Sequence, residues 1–185
     1  MRKSACGMTA LIVATLPLSA NAESIVDELR GGVFIQGWGG PGVDKEQGAG
    51  INIEALFKSP RAFSVLGAPR PQLGASIATD PDATSQIYAG LEWKVEIARK
   101  FFAAASLGGA IHNGETNFDP ATDIPRINDT VFLGCRALFR LGGDVGYEVT
   151  DRWRLSIHLD HISNAGLCSE NEGLDNFGLR LGYRF

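Results

Sequence analysis

After its first 22 residues the sequence has no long apolar run. Nothing there supplies the roughly 20 consecutive apolar residues that a membrane-spanning helix requires. Cysteine is scarce. Cys6 sits in the N-terminal segment, which leaves Cys135 and Cys168, a pair that permits one disulfide in an oxidising compartment without demanding it. Histidine is equally sparse, with three residues, and His112, His158 and Asp160 lack a recognisable metal-ligand spacing. They read as polar residues and not as a metal site. Positive charge is also short: the net formal charge is −4, and most of the chain is more acidic once Arg2 and Lys3 are set aside. That balance argues against a nucleic-acid partner. Internal repeats and a domain break are both absent.

What is present begins with a processing segment. Arg2 and Lys3 precede an apolar run from Met8 to Leu18, and Ala20-Asn21-Ala22 reads as an A-x-A cleavage site. Residues 1–22 are therefore expected to be a signal peptide, and residues 23–185 a single domain. Glycine is abundant, and mean hydropathy is near zero. Neither excludes a membrane protein, because a barrel alternates polar with apolar residues and its average looks soluble.

Alternation is the dominant pattern, and it predicts eight strands. They fall near Arg30–Trp38, Gly48–Phe57, Pro71–Thr79, Gln86–Ile97, Phe101–His112, Cys135–Val149, Trp153–Asn164 and Asn176–Phe185. The fourth is the clearest, with Ile87, Ala89, Leu91, Trp93, Val95 and Ile97 set against Tyr88, Gly90, Glu92, Lys94 and Glu96. Short turns at 98–100 and 150–152 alternate with mostly longer Gly-, Pro-, Asp- and Asn-rich connections at 39–46, 80–85, 113–130 and 165–174. This matches short periplasmic turns and long outer loops, with 58–70 a long exception on the periplasmic side. The last strand ends on Phe185 with Tyr183 two residues before it, which resembles the closing strand of bacterial outer-membrane barrels.

A soluble sandwich or lipocalin-like barrel would alternate too. The polar faces, however, carry Glu54, Glu92, Lys94, Arg136, Arg140, Arg154, Asp160 and Arg180. Such charges can pair inside a polar lumen while the apolar faces meet lipid. The expected fold is an all-β, eight-stranded antiparallel transmembrane β-barrel in the bacterial outer membrane.

The stretch Trp153–Asn164 carries the chemistry. Its odd positions are Trp153, Leu155, Ile157, Leu159, His161 and Ser163, so an apolar stripe ends in an imidazole and a hydroxyl. On an outward face near the outer rim, with Asp175 facing the same way from the next strand, these residues form a Ser-His-acid set. A serine hydroxyl needs a base to take its proton, and the base needs a carboxylate to fix its tautomer. Asp160, adjacent to His161, points to the lumen by parity and is not the acid. The bland reading is a polar fringe at the lipid–water boundary.

His161-Ile162-Ser163-Asn164-Ala165-Gly166-Leu167, followed by Asn171-Glu172-Gly173-Leu174-Asp175, resembles the signature of the PagL lipid A 3-O-deacylases. The resemblance is strongest from Arg152 to Phe185. It implies an outer-membrane hydrolase that removes the ester-linked 3-hydroxyacyl chain of lipid A, with His161 as base, Ser163 as nucleophile and Asp175 as acid. It also implies that Asn164 shapes the site, that the backbone N–H groups of Ala165 and Gly166 form the oxyanion hole, and that no metal or organic cofactor takes part. Well-known members carry Glu where this chain has Asp175, a shorter arm. Leu155, Ile157, Leu159, Leu179 and Leu181 are expected to form an apolar groove for the acyl chain. Lipopolysaccharide and outer-membrane lipid are the expected partners, with a homodimer left open. Two other readings remain: a non-enzymatic barrel with a structural or adhesion role, and an acyltransferase acting on the same lipid.

Overall fold

The computed structural model describes residues 25–40, 42 and 44–185; the expected signal peptide lies outside them. Eight antiparallel strands close into a barrel in sequence order. They are β1 (Val26–Gln36), β2 (Gly48–Phe57), β3 (Arg70–Ala78), β4 (Gln86–Ala98), β5 (Phe101–His112), β6 (Ala137–Glu148), β7 (Trp153–Ser163) and β8 (Leu174–Arg184). Pairing of β1 with β8, Ile35 opposite Phe177 and Val33 opposite Leu179, completes the ring and leaves no free edge.

The two-residue period separates inside from outside. On β7, Trp153, Leu155, Ile157 and Leu159 are exposed on the outer wall, while Arg154, Ser156, His158 and Asp160 are buried. The same division holds around the ring: Val33, Ile51, Ile53, Leu73, Ile87 and Leu141 face out, and Arg30, Glu54, Gln72, Glu92 and Arg180 face in. A charged interior with an apolar exterior is the inverse of a soluble barrel, and is the arrangement of an outer-membrane one.

Charges so deeply buried are tolerable only when paired. Arg30 is the hub. Its guanidinium bonds Glu28 (3.0 Å), Glu54 (3.1 Å) and Glu92. Arg180 adds a second cation to Glu54 (3.4 Å), and Arg140 holds Asp160 (2.6 Å) while lying 3.7 Å over the Tyr88 ring. His158 bonds Asp144 through Nδ1 (2.9 Å), and Ser156 donates to the same carboxylate (2.9 Å). His158 and Asp160 are thus members of the luminal ion network.

Three expectations are corrected. β1 starts at Val26 rather than Arg30, because Glu28 and Arg30 are luminal partners and the strand must reach back to include them. Trp38 lies beyond its end. Arg136 is not luminal: β6 starts one residue later, and the exposed guanidinium donates to the carbonyls of His112 (3.0 Å) and Gly114 (2.9 Å).

At the end with the longer loops the lumen is stoppered by apolar residues. Val131, Phe132 and Leu133, from the 113–136 connection, are buried. Val131 and Leu133 pack with Tyr88, Leu138, Ile162 and Leu174. Glu46 ties this plug to two other loops, its carboxylate accepting the N–H of Val131 (3.0 Å) and of Thr84 (2.8 Å).

Replacing Arg30 with Ala would remove the cation that Glu28, Glu54 and Glu92 share, leaving Glu54 to Arg180 and Glu92 to Arg70. We expect the barrel to lose about 3–5 kcal/mol, measured as a lower urea midpoint for unfolding in liposomes. An unchanged midpoint would contradict the role given to the hub.

Candidate active site

Direct pairing brings the site together. His161 on β7 lies opposite Asp175 on β8, so their side chains share the outer face. The Nδ1–H of His161 donates to Asp175 Oδ1 at 2.9 Å, and the Ser163 hydroxyl donates to Nε2 at 3.0 Å. A lone β-strand step, from residue 161 to 163, is enough to align base and hydroxyl on one face. The shorter Asp arm closes because the two residues are register partners. Asp160 faces the lumen in the grip of Arg140 and takes no part.

The carboxylate is well covered, its side chain 5% exposed, whereas the imidazole is 19% exposed. Covering comes from Gly37, Gly40 and Gly42, which follow β1. The Gly42 N–H donates to Asp175 Oδ2, leaving Oδ1 for the histidine, and Gly37 N–H donates to the Asp175 backbone carbonyl (3.0 Å). Gly42 has no room for a side chain: a methyl there would overlap Gly173 O and lie 2.7 Å from Asp175 Oδ2. Gly173 in turn backs the imidazole, where a methyl would overlap His161 Cε1 and lie 3.1 Å from Nε2. In the sequence, residues 39–46 read only as a loop, and alternation does not reveal this role. The density of glycine there was the available signal.

The turn after Ser163 is built around Asn164, which is buried. Its Oδ1 accepts the N–H of Gly166 (2.9 Å) and of Cys168 (3.4 Å), and its Nδ2 donates to the carbonyls of Leu133 (2.8 Å) and Glu170. Ala165 and Gly166 both have left-handed backbone, with φ of 56° and 79°. For Ala165 that conformation costs energy, which the surrounding bonds must offset. The two N–H groups expected to act together are therefore unequal. Gly166 donates to Asn164, while Ala165 N–H meets no acceptor among the described residues. A disulfide joins Cys168 in this turn to Cys135 beside the plug, with Cα atoms 6.0 Å apart.

Around the triad the wall is apolar. Phe139 and Leu141 on β6 lie opposite Ser163 and His161, and Trp38 stacks on Phe177 with ring centroids 4.9 Å apart. The five leucine and isoleucine residues expected to form an acyl groove do lie on the outer wall. The concave feature bordering the Ser163–Asn164 turn is elsewhere. A depression of about 400 Å³, lined by Gly108, Gly109, Ala137, Leu138, Phe139 and Leu167, opens on the β5–β6 side. Glycine and alanine on those strands hollow the wall, and the parity of apolar residues does not reveal that.

Fold and site together define an outer-membrane barrel with a serine, a histidine and a carboxylate hydrogen-bonded in series on its outer wall. The sequence profile of the lipid A 3-O-deacylase (PagL) family matches residues 82–184, and the chain belongs to that family. Its barrel and family place it in the bacterial outer membrane. Among solved structures, the outer membrane enzyme PagL superposes with a TM-score of 0.61 at 14% identity, covering 85% of this chain and 99% of that one. Neisserial surface protein A gives 0.53 at 10% identity, with 85% and 96% covered. A de novo designed transmembrane β-barrel gives 0.50 at 10% identity, with 86% and 96% covered. At these identities the likenesses speak for the fold. No curated protein matches the chain in sequence.

Two outcomes are expected. Gly173→Ala would displace the imidazole by a fraction of its own width, and misplacement of about 1 Å costs on the order of 10²-fold in rate. Lipid A deacylation should fall accordingly while the heat-modifiable gel mobility of the folded barrel is retained. Replacing Cys135 and Cys168 together with Ser should lower the stability of the outer loops by about 2–4 kcal/mol, seen as faster proteolysis within residues 113–136 and 164–173.

Proposed function

We propose that the chain is a serine esterase that hydrolyses the 3-O-linked 3-hydroxyacyl chain of lipid A at the outer wall of the barrel. The observation that carries this reading is the unbroken series Ser163–His161–Asp175, with contacts of 3.0 and 2.9 Å, on a face that meets lipid. Family membership supplies the substrate class.

The chemistry follows from the hydrogen bonds. His161 Nε2 takes the Ser163 proton as Oγ attacks the ester carbonyl, and Asp175 holds the imidazole in the tautomer that leaves Nε2 free to accept it. The carbonyl oxygen becomes an oxyanion, for which the unengaged Ala165 N–H is the available backbone donor; such a donor is worth about 2.7–4 kcal/mol in comparable sites. Collapse breaks the bond to the lipid A 3-oxygen, which leaves with the proton from His161. Water then attacks the acyl-serine, His161 accepts its proton and returns it to Ser163, and the 3-hydroxy fatty acid departs.

Location suits this substrate. Lipid A occupies the outer leaflet, and its ester bonds lie just below the headgroups. A site near the outer end of β7 reaches them without lifting the lipid from the membrane. The β5–β6 depression receives the acyl chain beside the nucleophile. His161 keeps part of its surface open to the water needed for the second step.

Lipid A extracted from cells that express the wild type should lose one 3-hydroxyacyl chain by mass spectrometry. Ser163→Ala and His161→Ala should each reduce the rate by on the order of 10⁴-fold or more, with the barrel still assembled. An added acyl chain would point to acyl transfer, and unchanged lipid A from an assembled wild type would rule out the deacylase reading for that substrate.

A further inference from the structure

We propose that the connection between β2 and β3 is a lipid-contact element, its short helical turn seated in the phospholipid headgroup–acyl boundary of the periplasmic leaflet. This inference is independent of the esterase reading. In outer-membrane barrels the short turns face the periplasm, and this connection shares an end with the turns at 99–100 and 149–152.

The segment is shaped rather than loose. A 3-10 helix spans Arg61–Leu66, the N–H of Phe63 donates to Pro60 O (2.9 Å), and Ala68 N–H returns to Phe63 O (2.9 Å). Yet none of the helix is buried: Val65 is 88% exposed and Leu66 53%. A turn held in this form with its largest aliphatic groups uncovered would be costly in water.

Its attachment shows which way it faces. The Trp93 indole N–H donates to Leu66 O at 2.7 Å, and Gly67 sits against the same ring. Trp93 belongs to the outward row of β4, between Leu91 and Val95, with Val95 and Ile97 exposed beyond it. The turn is therefore folded onto the outer wall and is continuous with the lipid-facing belt. It is not drawn across the lumen.

The rest of this rim carries an aromatic girdle. Phe101 pairs with Tyr147, Trp153 with Tyr183, and Tyr183 with Phe185, all at ring-centroid distances of 4.9–5.3 Å, and all on β5 to β8 or just past its end. On the β2–β4 side no such pair occurs among the described residues, and Phe63, Val65, Leu66 and Trp93 take its place. Charge agrees with the assignment. The periplasmic turns carry Lys58, Arg61, Arg99, Lys100 and Arg152 against Asp151, whereas the outer loops are rich in acid, including Asp44, Asp80, Asp82, Glu115, Asp129 and Glu170. A cationic fringe beside an apolar tip fits phosphate headgroups above acyl chains.

The test places a single free cysteine at Val65 or, separately, at Ser64 of the full-length barrel, the native pair remaining oxidised, and labels it with a polarity-sensitive fluorophore. An Asp82→Cys label in an outer loop is the aqueous control. In vesicles of phosphatidylethanolamine and phosphatidylglycerol free of any other protein, folding is verified for each sample by heat-modifiable mobility. Blue-shifted emission relative to the control is expected, with greater loss of intensity for lipids brominated near the headgroup than at the chain end. Emission matching the control at both positions, without bromolipid quenching, would overturn the proposal. It would leave the turn for a periplasmic protein instead.

Discussion

Pairing of charge inside the barrel is the constraint from which the rest follows. Arg30, Arg140 and Arg180 cannot leave the lumen without exposing buried carboxylates, nor can Glu54 or Asp160 without stranding guanidinium groups. That locks the inward parity of β1, β2, β6, β7 and β8. Because alternation is strict, it locks the outward parity as well. His161 and Ser163 share the parity of Trp153 and Leu159, so the network that fills the interior also holds the candidate chemistry on the exterior. A slip of one residue on β7 would bring Asp160 outside and bury the histidine.

Register supplies the second half. With β7 and β8 paired so that His161 meets Asp175, the short arm of the aspartate reaches the imidazole. The loops do the remainder. Gly42 and Gly173 bring backbone where no side chain fits, one donating to the carboxylate and the other supporting the imidazole. Asn164 and the Cys135–Cys168 bridge anchor the turn that presents the Ala165 N–H. The barrel wall thus carries the candidate groups, and the outer loops pack against them.

Much of this was legible in the sequence because it depends on a period of two. β2 and β5 run between the very residues that alternation suggests, and the outward placement of His161, Ser163 and Asp175 needs nothing but parity. What escaped was set by contacts distant in sequence. The start of β1 precedes the glycines that blur its alternation, and it shows only once Glu28 meets Arg154 and Arg70, and Arg30 meets Glu92, on other strands. Arg136 looks luminal by alternation but falls just outside β6. Val131, Phe132 and Leu133 lie in a stretch that reads as loop, and their burial follows from the open barrel end they fill. The inequality of the Ala165 and Gly166 donors depends on where one asparagine side chain turns.

The most direct test of an outward-facing, activated serine is covalent. The folded barrel, held in detergent or phospholipid, is treated with a long-chain alkyl phosphonofluoridate, which reacts with a base-activated hydroxyl and releases fluoride, and the peptides are then mapped by mass spectrometry. The phosphonyl adduct should fall on Ser163 and should disappear when His161 is replaced by Ala. A barrel that stays unmodified at Ser163, or whose Ser163 reacts equally without the imidazole, would contradict the account.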